Sequence, residues 1–352
     1  MTTKPDNAAE DLTGRILKNK WKVLKRIYPK LGNSGGFFSV CYIVSDGERE
    51  AFLKAINFKA FFTLFPGRSI IEILQEQTSA FTYEVEILKK CKNKRLTKVA
   101  FVMDEGEEYL TEFTIPNVPY LIFELAEGDV RDRFTFSINI EASWKLASLH
   151  QVAVGLQQLH YINIGHQDLK PSNVLLYESG IISKLADLGR SLSTDLKAPH
   201  EKLGEFTGDM SYAPPEFLYG YYQPDLNLRI RATDMYLFGS LIVFYFTGTN
   251  MTALIGKNID PSFKWDKWFG PFGDIIDYLK DGFYKSLGEF KSGFGNNNLG
   301  NELALIVEYC CFPDPMKRGF PKARSLYGNP YDFQRAISKL AILKKKAEMQ
   351  LI

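Results

Sequence analysis

Residues 164–176 read IGHQDLKPSNVLL, with Asp168, Lys170 and Asn173 at offsets of two and three and apolar runs on either side. An acid, a cation and an amide oxygen suit phosphoryl transfer, which needs positioning and charge neutralisation more than covalent chemistry. Asp168 could orient an attacking hydroxyl, Lys170 could meet the moving phosphoryl, and Asn173 could offer oxygen to magnesium. The same residues could also be turn formers in a surface loop. The whole pattern, leading into the apolar VLL, favours the chemical reading. A second acid follows in KLADLGR, 184–190, where an apolar strand ends at Asp187 and Gly189 permits a sharp turn. Pairing of the VLL and KLA strands would bring Asp187 beside Asn173.

Two kinds of element must position these groups. From Trp21 to about Glu124 the pattern favours strands: WKVLKRI alternates, FFSVCYIV is aromatic and β-branched, AFLKAINF and VPYLIFEL are apolar. One helix, over about 69–92, interrupts them and ends in a basic turn. After Asp129 apolar spacings of three and four predict a helix at 141–161, and further helices are expected at 232–247, 273–284, 301–312 and 331–348. Residues 285–300, rich in Gly and Asn, read as a loop. Residues 1–14 read as a flexible polar start. The tail helix should pack through a stripe of Phe333, Ile337, Leu340 and Leu343.

Composition bounds the function. The 352 residues are 45% hydrophobic and 24% charged, with 43 basic against 41 acidic side chains and a net charge of +2. That is a globular chain without the basic footprint of a nucleic-acid binder. Cys41, Cys91, Cys310 and Cys311 lack CxxC spacing and read as free thiols of a reducing, cytoplasmic compartment. MTTKPDNAAEDLTG has no apolar core of a signal peptide. MYLFGSLIVFYF, 235–246, is too short to span a bilayer and reads as a buried helix, so no membrane association is expected.

Taken together, the motifs resemble those of the eukaryotic-type (Hanks-type) serine/threonine protein kinases. The catalytic-loop pattern HRDLKxxN is matched by His166, Gln167, Asp168, Leu169, Lys170 and Asn173, and DFG by Asp187, Leu188 and Gly189. APE resembles Pro214, Pro215 and Glu216. DxWxxG resembles Asp234, Tyr236 and Gly239, and DPxxR is matched by Asp314, Pro315 and Arg318. The order and spacing are family-like across about 20–340. The resemblance implies an α+β, bilobal fold: a small antiparallel β-sheet lobe with one main helix (15–124), a hinge (125–130) and a larger, mainly helical lobe (131–350). It implies ATP and Mg2+ as cofactors and protein Ser/Thr hydroxyls as acceptors. Asp168 and Lys170 would be catalytic, with Asn173 and Asp187 holding the metal.

For the nucleotide, the resemblance implies Lys54 in AFLK as the phosphate-binding lysine, paired with Glu84 of FTYEVEILKK; Glu76 is the alternative partner. Anchoring the glycine-rich loop on Val40 makes Gly35 its middle glycine. Phe123 would be the gatekeeper. Backbone groups of Glu124 and Ala126 would meet the adenine, Val40 and Leu175 would sandwich it, and Asp129 would reach the ribose. Glu216 and Arg318 would form a structural ion pair, and Asp234 would hold the catalytic loop.

Four departures set the alternatives. Phe38 replaces a loop glycine, Phe52 replaces a small residue over the adenine, Asp209 replaces a threonine, and Gln167 replaces the arginine before the catalytic acid. A neutral glutamine cannot make the arginine's charge-assisted fork to a phosphate. Activity independent of phosphorylation at Ser191, Ser193, Thr194 or Thr207 is the expectation. The other readings are a pseudokinase that binds nucleotide or scaffolds a partner, and a small-molecule kinase. The insert KAFFTLFPG, 59–67, is either an aromatic brace on the small lobe or a docking point for a regulatory partner.

Overall fold

The structure, a computed structural model, describes residues 6–28, 38–137, 139–295 and 297–352. It divides into two compact units: 1–95 with 100–126, and 96–99 with 127–352.

The first unit is built on a fully antiparallel sheet of β1 (Ile16–Leu17), β2 (Trp21–Ile27), β3 (Ser39–Ser45), β4 (Glu50–Ile56), β5 (Val102–Tyr109) and β6 (Asn117–Glu124), ordered β1-β2-β3-β4-β6-β5. Alternation puts Ala51, Leu53 and Ala55 of β4 into one core with Trp21, Val23, Tyr42, Val44, Tyr120 and Ile122. Trp21 is fully buried, and its indole N–H donates to Asp104 (3.0 Å), so the polar edge carries no penalty. The short α1 (Phe58–Leu64) precedes α2 (Ile70–Asn93), the one long helix among the described residues of this unit.

The N-terminal residues differ from the loose start expected of them. Ala8, Ala9 and Leu12 are buried in the sheet core, and Ala9 accepts the Tyr42 hydroxyl at 2.7 Å. Asp6 accepts from the backbone and hydroxyl of Thr114, and Asn7 donates to Asn57. Three apolar side chains suffice because the sheet supplies a ready surface.

The second unit begins with β7 (Gly128–Asp129), α3 (Val130–Phe136), α4 (Ala142–Tyr161) and β8 (Ile164–Gly165). The hairpin β9 (Val174–Tyr177) and β10 (Ile182–Leu185) follows, then β11 (Leu192–Ser193). Its remaining helices are α5 (Pro215–Leu218), α6 (Leu226–Thr247), α7 (Met251–Asn258), α8 (Phe272–Ser292), α9 (Asn298–Cys311), α10 (Pro321–Tyr327) and α11 (Gln334–Glu348). Asp225 caps α6 through Leu228 N, and Gly248, at φ 77°, ends it in the left-handed region that glycine takes without strain. Residues of α6 are buried on every side, from Ile230 to Tyr245. Among the described residues, no single helix is long and apolar enough to cross a membrane.

One helical detail departs from the sequence reading. Residues 285–292, expected in a loop, continue α8, because Leu287 and Phe290 extend its buried stripe. α9 then starts at Asn298, leaving only a short connection. The tail helix packs on α4. Phe333, Leu340 and Leu343 are buried as expected, with Ala336 beside them and Ile337 half-buried.

Candidate active site

In the first unit, Lys54 lies on the face of β4 opposite the sheet core, and its ammonium is 3.2 Å from Glu84 Oε1. Glu84 is buried on α2, with Ile87 and Leu88 packed behind it. Glu86 is exposed, and Glu76 pairs instead with Arg68 at 2.9 Å. Phe52 shares the Lys54 face and is registered against Phe123 of β6.

The strand beside Lys54 corrects the glycine-loop alignment. Val40 belongs to the sheet core and is 3% exposed, so it cannot cover a ligand on the Lys54 face. Cys41 is the residue registered with Lys54. A one-residue slip in a strand exchanges its two faces. The proposed middle glycine, Gly35, lies outside the described residues. Phe38 does have a place: its ring stacks on Phe61 of α1 at 4.8 Å. Phe61 is buried, next to the buried Phe58 that precedes the insert, so its N-terminal part braces the sheet unit; Leu64 and Phe65 remain exposed.

At the end of β6, Glu124 folds its carboxylate onto Phe101 N (2.7 Å), and its own N–H donates to Phe101 O. Ala126 is half-buried and closes the first unit. In the second unit, Asp129, the residue expected at the ribose, commits one carboxylate oxygen to its own helix. Its Oδ1 accepts from Asp132 N (2.8 Å) and caps α3. Burial pushes its carboxyl above the usual range, against the pull of that bond. Leu175 is half-buried on β9, opposite Asp129.

The loop between β8 and β9 holds the chemical groups. Asp168 is 6% exposed. Its Oδ2 meets the Lys170 ammonium (3.1 Å) and the Asn173 amide (3.1 Å), and its Oδ1 accepts from Asp209 N (2.8 Å). Asn173 also donates to Asp168 O at 2.8 Å. Both bonds use the amide nitrogen and leave the carbonyl oxygen for a cation. The hairpin pairs Leu185 with Val174, and Ala186 N donates to Asn173 O (2.9 Å), which sets Asp187 one residue beyond the Asn173 contact. Asp187 is exposed and sits at φ 58°, a costly conformation for a non-glycine residue. An amide oxygen and an exposed carboxylate are hard donors that fit magnesium.

Asp209 occupies the far side of Lys170, with Oδ2 at 3.3 Å from the ammonium. Its Oδ1 accepts from the backbone and hydroxyl of Ser211. Burial opposes ionisation of Asp209, but the Ser211 donors and Lys170 outweigh it and hold the carboxyl below its usual range. Burial likewise lowers Lys170, yet the two carboxylates win and raise it. The pair therefore stays charged.

The loop is locked from behind by Asp234, as the resemblance implies, and by the buried side chains of His166 and Gln167. His166, fully buried, accepts from Asp168 N at Nδ1 and donates from Nε2 to Ala186 O (3.0 Å). Asp234, also fully buried, accepts four hydrogen bonds of 2.8–2.9 Å. They come from His160 Nε2, His166 N, and both the backbone and side-chain amides of Gln167. Gln167 also donates to Ile230 O and is held at φ 64°. Gln167 is thus an internal strut of the loop. Further along, Arg318 makes a bidentate pair with Glu216 (2.8 and 2.7 Å), with both side chains buried.

The family pattern described as protein kinase domain matches residues 69–330, more than half of the chain. The chain belongs to the protein kinase family. Its match starts beyond Lys54, so that lysine rests on its own geometry with Glu84. Similar proteins include cysteine-rich receptor-like protein kinase 27 of Arabidopsis thaliana, 29% identical over 56% of this chain and 30% of that one. Inhibitor of nuclear factor kappa-B kinase subunit alpha of Gallus gallus is 27% identical over 56% of this chain and 23% of that one. Cyclin-dependent kinase-like 2 of Homo sapiens is 27% identical over 47% of this chain and 30% of that one. The kinase-family chain thus spans less than a third of the length of each of these relatives.

Proposed function

We propose that the chain transfers the γ-phosphoryl of ATP to serine or threonine hydroxyls of proteins. The observation that carries this is the buried Asp168 carboxylate, held by Lys170, Asn173 and the Asp209 N–H in a loop braced by Asp234. An acid fixed in this way can orient an acceptor hydroxyl and take its proton as the oxygen attacks. Lys170, kept cationic by two carboxylates, suits the charge of the phosphoryl in flight. Lys54, oriented by Glu84, is assigned to the ATP phosphates. Asn173 and Asp187 are assigned to magnesium, which when bound neutralises phosphate charge. Lysine two residues after Asp168 supports the serine/threonine class through the family resemblance.

Regulation follows from Gln167. It is neutral and committed to Asp234 and Ile230, which supports activity without a phosphate on the segment between Asp187 and Asp209. Ser191 and Ser193 are buried, which further favours that reading. Labelled ATP, magnesium and generic protein acceptors test the proposal against Asp168→Asn. Transfer should fall by about a hundredfold or more in the variant. Equal transfer by the two proteins would sink the active-kinase reading.

A second reading, a nucleotide-binding pseudokinase, is favoured by Phe52, whose ring shares the Lys54 face. Titration of the wild type with Mg-ATP separates them: binding without any transfer selects it.

A further inference from the structure

The segment between Asp187 and Asp209 is tied to α6 by one acid that no motif marks. Arg229, in the first turns of α6, is 5% exposed. It donates Nη2 to Glu201 Oε1 (2.5 Å) and Nη1 to Gln223 O (2.6 Å), and its guanidinium lies 4.0 Å over the Tyr222 ring. The Tyr222 hydroxyl also points at Glu201 Oε1 (3.4 Å). A buried guanidinium is costly unless an anion and acceptors surround it, and Glu201 is the anion paired with it here.

Between Glu201 and Asp209 the chain is held only at intervals. Leu203 is 87% exposed, and Lys202 and Glu205 are exposed around it. Thr207 then donates to Arg190 O (3.2 Å), and Gly208 has no room for a Cβ against the Gln167 carbonyl. Asp209 N finally reaches Asp168. On the other side of Glu201, Ala198 is buried and His200 Nε2 bonds Ser191 O. The Glu201–Arg229 pair and the Asp209–Asp168 bond therefore pin the two ends of an exposed tip. A phosphate meeting an arginine orders a segment by the same electrostatics.

We propose that Glu201 is a built-in anionic latch: its pairing with buried Arg229 holds the segment that delivers Asp209 to Asp168, with no added phosphate required. Glu201 and Arg229 are positioning residues, since they act through that segment. The catalytic consequence rests on the kinase reading; the ordering of the segment does not.

The test is amide hydrogen exchange on phosphatase-treated full chain, comparing wild type, Glu201→Gln and Glu201→Asp, with phosphoryl transfer measured in parallel. In Glu201→Gln, amides of 194–208 should exchange about tenfold faster or more, while those of 235–245 keep the wild-type rate. Glu201→Asp should recover most of the protection, and transfer should change with it mainly through kcat. Exchange in Glu201→Gln within about twofold of wild type would overturn the latch. Should that variant not fold, the wild type decides alone: a segment that loses protection on phosphatase treatment overturns the proposal, and one that keeps it supports it. Absence of transfer in every protein would refute the kinase reading, while the exchange pattern would still judge the latch.

Discussion

Asp234→Asn removes one oxygen from the most heavily used acceptor in the site. The carboxylate Oδ1 takes both Gln167 donors, and Oδ2 takes His166 N and His160 Nε2. An asparagine keeps one oxygen and turns an NH2 toward two N–H donors, so two charge-assisted bonds are lost and cannot be replaced. Such bonds are worth about 1.5–3 kcal/mol each, and the site is fully buried, so water cannot substitute. The expected loss is about 3–6 kcal/mol. For a unit of roughly this size that lowers Tm by roughly 6–24 °C. The same bonds hold Gln167 at its left-handed φ, next to Asp168, so transfer should fall even at temperatures where the variant is folded. Thermal unfolding by circular dichroism, with transfer assayed well below the transition, reads both. A Tm within about 2 °C of wild type together with undiminished transfer would refute the bracing role.

Gly239→Ala should destabilise the chain by about 1–3 kcal/mol, because the new Cβ would lie 2.5 Å from Cys311 Sγ and 2.6 Å from Cys310 Cβ in the packed core. Denaturant titration would show this as a lower midpoint at unchanged slope. Asp209 predicts a pH effect of defined sign. Its folded pKa lies below the ordinary 3.8, so its stabilising contribution is present above that value and is lost as pH falls through the folded pKa. Asp209→Asn should therefore be less stable than wild type at neutral pH, with the difference closing at strongly acid pH. A gap that persists unchanged there would contradict the ion-pair account of Asp209.

The elements that position the site were largely legible because their signals are local. α2 and α4 carry helical apolar spacing, the apolar run of α6 is too long for a buried strand, and the Asp168–Asn173 spacing needs no partner to be seen. Val40 was misplaced for a physical reason: SVCYIV is apolar on both faces, so alternation could not say which face met the core. Gly288 and the Gly/Asn-rich stretch suggested a loop over residues that Leu287 and Phe290 keep helical. Glu201 and Arg229 are 28 residues apart and follow no periodic pattern, so only the folded chain pairs them. Gln167 was read through the arginine it replaces, whereas its role comes from Asp234, 67 residues away.

The most direct test of the central claim is phosphoamino-acid analysis of a protein acceptor incubated with phosphatase-treated chain, labelled ATP and magnesium. The account predicts label on serine or threonine, dependent on magnesium and lost in Asp168→Asn. Label confined to tyrosine, or transfer that survives in Asp168→Asn, would contradict it.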